Sequence, residues 1–157
     1  MNRSKKSLAV GIGCLVLLSI STISWADVAP CEKNFTVKEG FFGKKIYKTW
    51  QDLQDLMPQT IFKRAYAFLV KEGWVINFTD KETGVISALQ QDVSADGGGK
   101  VAPLNIFIEN AGNYLGGKSG GTRVTMTFSI PGGLHAQEDM VRKNFCDALA
   151  EIKKGSY

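Results

Sequence analysis

Three cysteines punctuate this sequence, and their placement limits the fold more than any other feature. Cys14 lies inside an apolar run near the start, whereas Cys31 and Cys146 stand 115 positions apart, near the two ends of everything that follows. An even pair in an oxidising compartment is expected to bond. Loop-closure entropy for a ring of that size gives about 4 to 5 kcal/mol, less whatever native-state strain removes. The bridge therefore predicts an N-terminal arm tied to the last helix of the chain.

The oxidising compartment is itself a reading of the first 26 residues. Arg3, Lys5 and Lys6 precede an apolar run over residues 8–23 that closes on Ser24-Trp25-Ala26. A basic start, a short apolar middle and small residues at the end describe a secretory leader cut after Ala26. The run is diluted by Ser19, Ser21 and Thr22 and falls short of the roughly 20 residues that a hydrocarbon core asks for, so no integral span is expected after cleavage. The competing reading is a lipidated Cys14 on the outer membrane. It sits mid-run, with Gly11 where a leucine-like residue normally precedes such a cysteine.

Removal of the leader also changes what the charge means. Arg3, Lys5 and Lys6 are three of the 19 basic residues, leaving 16 against 15 acidic ones, a net +1. The whole-chain isoelectric point near 9.0 thus reports on targeting rather than on a nucleic-acid or anionic-membrane surface. The periplasm or the outside of the cell is the expected location.

The remaining chain suits one domain with a sizeable core. Residues 27–58 read as an arm with one loose alternation over residues 41–50. A short helix is then suggested by Thr49-x-x-Asp52, which resembles a capping box, with Trp50, Leu53 and Met57 at helical spacing. Past Pro58, the positions Ile61, Ala65 and Leu69 recur at i, i+4 and i+8 and predict an amphipathic helix ending at Gly73. Alternation then predicts a hairpin with its turn at residues 80–84, a strand around Leu104, Ile106 and Ile108, and the clearest strand at Val124, Met126, Phe128 and Ile130. Val141, Phe145, Ala148, Leu149 and Ile152 mark a last helix. Residues 59–153 are therefore expected to form an α+β two-layer sandwich of order α-β-β-β-β-α. Its antiparallel sheet has four strands, or five if residues 41–50 join, with two helices on one face.

Few motifs carry chemistry. Residues 112–119, GNYLGGKS, match the phosphate-loop pattern letter for letter, but Gly120-Gly121 and a strand follow where the motif needs a helix N-terminus. The stretch around Asp92 and Asp96 lacks the alternating ligands of a calcium loop, and no cofactor or metal is implied. His135 is the sole histidine, without a partner constellation readable from the sequence. Phe41, Phe42 and Tyr114 stand in glycine-flanked, poorly patterned positions, which suits exposed anchors of a partner surface. Phe62, Tyr66, Trp74, Phe128 and Phe145 are the aromatic set that would line a cavity between sheet and helices.

Residues 62–88, FKRAYAFLVKEGWVINFTDKETGVISA, join a helix ending in Lys-Glu-Gly-Trp to a hairpin whose turn is Asp-x-Glu-x-Gly. This string resembles the helix-grip domains of small bacterial envelope proteins, such as those of the C-type accessory lipoprotein of the outer-membrane β-barrel assembly machine. The resemblance implies an envelope protein that binds another protein or a peptide without catalysis, and it transfers no functional residue. A protein- or peptide-binding accessory module is thus the expected function. A carrier of a small apolar ligand is the alternative, and a hydrolase using His135 a more distant one.

Overall fold

The computed structural model describes residues 28–90, 101–113 and 121–155, and the segment expected to be a leader, with Cys14, lies outside them. Its framework grows from the strand with the strictest alternation. In Gly121–Ile130 (β6), Val124, Met126 and Ile130 are buried with Phe128 half-buried beside them, while Arg123, Thr125 and Thr127 point the other way. On one side β6 pairs antiparallel with Ala102–Asn110 (β5), setting Leu104 opposite Phe128 and Ile106 opposite Met126. On the other it pairs over its whole length with Lys45–Gln54 (β2), setting Tyr47 opposite Phe128 and Leu53 opposite Thr122. Thr36–Glu39 (β1) flanks β2. Val85–Gln90 (β4) and Val75–Asp80 (β3) continue beyond β5, giving a six-stranded antiparallel sheet of order β1-β2-β6-β5-β4-β3.

This corrects the expected architecture of four or five strands with two helices. Residues 36–54 supply two strands, and a third helix, Pro30–Lys33 (α1), precedes them. The capping-box reading fails because both residues are engaged in tertiary contacts inside a strand. The Thr49 hydroxyl donates to the Cys31 carbonyl, and Asp52 accepts two hydrogen bonds from Arg123 at 2.7 and 2.8 Å.

Pro58–Lys71 (α2) and Glu138–Lys154 (α3) cover one face of the sheet. Ile61, Ala65 and Leu69 from α2 and Val141, Phe145, Leu149 and Ile152 from α3 share one core with the inward residues of β2, β4, β5 and β6. The Arg64 guanidinium donates to the Lys153 carbonyl, so α2 caps the C-terminal end of α3. Cys31 in α1 is bonded to Cys146 in α3, with Cα atoms 5.6 Å apart.

The β3–β4 turn is held by one carboxylate. Asp80 Oδ1 accepts the Glu82 N–H at 2.9 Å and the Thr83 N–H at 3.2 Å. The Thr83 hydroxyl, followed by these backbone donors, holds the Asp80 carboxyl below its ordinary value. A depressed acid stabilises the fold above its unfolded pKa, and that support is lost as pH falls through the lower folded value. We expect the Thr83 amide resonance to titrate with an apparent pKa below about 3.9. Asp80→Asn, which keeps an acceptor oxygen, should flatten that titration, and a Thr83 amide titrating at the ordinary aspartate value would refute the turn's role.

Candidate functional site

The end of α2 positions the first wall of a cleft. Gly73 adopts φ +78°, its N–H donates to the Val70 carbonyl at 3.2 Å, and the Trp74 N–H reaches back to the Leu69 carbonyl at 2.9 Å. This paired closure is the Schellman arrangement, and it fixes the direction in which the chain leaves the helix. Trp74 is thereby set edge-on to Phe128 of β6, ring centres 6.1 Å apart. Phe145 and Ala148 of α3 form the facing wall, and Leu104 and Met126 join them from the sheet. The cleft is half open to solvent and holds about 430 Å³ between the helix layer and the sheet. Its mouth carries Glu72, Asp147 and Glu151, of which Asp147 pairs with Lys143 at 2.6 Å and Glu151 with Lys154 at 2.8 Å. The Glu151 carboxylate raises the Lys154 ammonium above its ordinary value.

Of the aromatic set expected to line a cavity, Trp74, Phe128 and Phe145 are brought together here, and Phe62 and Tyr66 are not. Phe62 is buried in the core beside Ile61, and Tyr66, about 100° round the helix from the buried Ala65, is exposed. Phe68, nearer the end of α2, lines the cleft instead. Aromatic type alone does not separate residues of the cleft from those of the core or the surface. The signal that locates the cleft was the Gly73-Trp74 pair, which aims an aromatic ring back across the helix end.

Phe41 and Phe42 meet at a second place, the tip joining β1 to β2. They are 90 % and 99 % exposed, in a one-turn 3-10 segment, Phe41–Gly43. Phe42 has φ +61°, uncommon for a bulky side chain. The tip is fixed by the Gly40 N–H donating to the Lys44 carbonyl at 2.7 Å, and by Gly132, where any Cβ would overlap the Phe42 carbonyl oxygen. Tyr114 lies outside the described residues, as do Asp92, Asp96 and most of the phosphate-loop look-alike. That look-alike begins in a 3-10 turn, Ala111–Asn113, directly after β5, and β6 follows it.

His135 is exposed between β6 and α3, and makes no hydrogen bond or ion pair with the described residues. No group of three metal-ligating side chains occurs among the described residues. No described helix is long and apolar enough to cross a membrane.

Comparison with known proteins gives little beyond this geometry. No family model matches the chain, and no curated protein does. A solved structure, a conserved protein of unknown function from Enterococcus faecalis, is similar with a TM-score of 0.49 and 10% sequence identity. The match covers 79% of this chain and 77% of that one, and at this level it assigns nothing to the protein.

Other exposed apolar groups are scattered, Met57 and Val70 at α2 and Met140 on α3, and a few lie on the uncovered sheet face. Phe78 of β3 and Phe107 of β5 are among them, and the register puts Phe107 beside Thr125, itself opposite Trp50. The Arg123 guanidinium lies 4.0 Å above the Trp50 ring while it grips Asp52, so this face is a mixed and largely self-satisfied surface.

Proposed function

We propose that the protein is a non-enzymatic binding module of the bacterial cell envelope, periplasmic or secreted. Its cleft between sheet and α3 receives an apolar group, either a small apolar ligand or an apolar side chain of a bound peptide. The cleft is the observation that carries this reading. Its volume falls within the roughly 300 to 1,000 Å³ of ligand pockets, and aromatic and aliphatic side chains supply its walls. Its polar groups are carboxylates and amides at the mouth, with no nucleophile and base set against one another. Export is supported by the leader and by the Cys31–Cys146 bridge. The likeness of residues 62–88 to helix-grip domains supports a binding role of the same kind.

A neutral apolar fluorophore tests the cleft directly. N-phenyl-1-naphthylamine should bind saturably with a rise in emission, transferring energy from Trp74. Ala148→Phe places a ring in the cleft from the wall that α3 supplies. It should weaken binding by at least about tenfold, or 1.4 kcal/mol, in protein whose circular dichroism shows the fold retained. An unsaturable wild-type signal, or equal binding by Ala148→Phe, would remove the cleft as the site.

A further inference from the structure

Phe41 and Phe42 are the most exposed large apolar side chains of the described residues, and they stand side by side at a braced hairpin tip. What stands behind them identifies what they enter. Alternation divides the charges of this hairpin between two faces. Glu39 opposes Lys45 on the helix side, where the Lys45 ammonium is paired with Glu138 at 3.0 Å. Lys38 and Lys48 fall on the opposite face, and Lys44 adjoins the tip. All three are exposed, and none forms an ion pair with the described residues. The nearest acid along β2 on that face, Asp52, is neutralised by Arg123. A net charge of +1 outside the leader hides this local excess.

We propose that the hairpin tip docks the protein on the surface of an anionic phospholipid bilayer. Phe41 and Phe42 insert below the headgroups, and Lys38, Lys44 and Lys48 face the phosphates. Reversible attachment to a bilayer needs two weak signals, an apolar insert and a basic patch, and this hairpin holds both. Each lysine near an anionic surface contributes roughly fivefold to partitioning. Each phenylalanine moved out of water contributes about tenfold or more. A protein partner fits less well, because lysine is depleted at protein interfaces and two rings at an apex offer little area to a rigid surface. The proposal is independent of the cleft and stands or falls separately.

The test uses the full chain, with wild type, Phe41→Ser/Phe42→Ser and Lys38→Glu/Lys44→Glu/Lys48→Glu carrying the same leader. Each is sedimented with vesicles of phosphatidylcholine alone or mixed equally with phosphatidylglycerol. Hydrogen exchange of residues 41–43 is read on the same samples, so that binding by the leader is told apart from binding by the tip. Wild type should bind the mixed vesicles and show exchange at residues 41–43 slowed by at least about tenfold. The serine pair and the glutamate triple should each lose that protection and, from the factors above, about a hundredfold in tip-dependent partitioning. All variants should keep the wild-type circular dichroism, since every substituted side chain is exposed. Unchanged exchange at residues 41–43 on mixed vesicles would overturn the proposal, as would equal protection in the serine pair. Protection of these residues by a crosslinked protein but not by vesicles would overturn it too.

Discussion

Cys31→Ala/Cys146→Ala lowers the midpoint of thermal unfolding by about 10 to 20 °C. The estimate follows from the 115-position separation, for which loop closure gives roughly 4 to 5 kcal/mol, and from the few degrees per kcal/mol typical of a domain this size. Alanine is the right replacement because Cys31 is 2 % exposed in the core, where a hydroxyl would add a cost of its own. The loss falls unevenly. Helix α1 has only four residues, too few to persist without tertiary support, and its buried residue is the bridging cysteine itself. We therefore expect α1 and its acceptor, the Cys31 carbonyl under Thr49, to loosen first. Calorimetry checks the midpoint, and reductant should bring the wild type to the variant's value. A midpoint within two or three degrees of wild type would show that the staple adds nothing.

Gly84→Ala costs at least about 3 kcal/mol, close to the effect of losing the bridge. Gly84 has φ +75°, where a side chain adds roughly 1 to 2 kcal/mol of backbone strain. The larger part comes from space. A Cβ there would overlap the Ile108 carbonyl oxygen of β5, while the Ile108 N–H donates to the Gly84 carbonyl at 2.9 Å. Backbone cannot rotate aside as a side chain can, so the β4–β5 ladder must shift. Gly73→Ala supplies the control, having nearly the same φ of +78° but nothing within 4 Å of its Cβ. It should cost only about 1 to 2 kcal/mol, the strain alone. Equal losses for the two variants in urea unfolding would discard the close-approach argument.

The parts of the fold that were legible are those where one residue after another obeys a single period. Ile61, Ala65 and Leu69 mark α2, and Val124, Met126, Phe128 and Ile130 mark β6, because nothing else competes for their burial. β2 was legible only as the loose alternation over residues 41–50, for the opposite reason. Its inward positions run Lys45, Tyr47, Thr49, Gln51 and Leu53, and the polar three are satisfied by distant groups or sit half-buried at an edge. Thr49 and Asp52 then imitate a helix cap, since a hydroxyl and a carboxylate look alike in sequence whether they hold a backbone donor or a remote arginine. β1, with a single half-buried residue in Thr36–Glu39, leaves no periodic trace. The cleft was half legible. Trp74 follows from the helix-ending glycine, whereas its meeting with Phe128 and Phe145 depends on strand order, which no local pattern encodes.

That strand order has a bearing on how the molecule is born. β6 is the last strand of the sequence, yet it occupies an interior slot, between β2 and β5. Asp52 must wait 71 residues for Arg123. Until β6 arrives, the folding chain holds two orphaned half-sheets, each with an open edge, and pairings this remote in sequence close slowly. Assembly thus finishes with a wedge driven between halves already made, and a chain cut short before Gly121 would have nothing with which to join them.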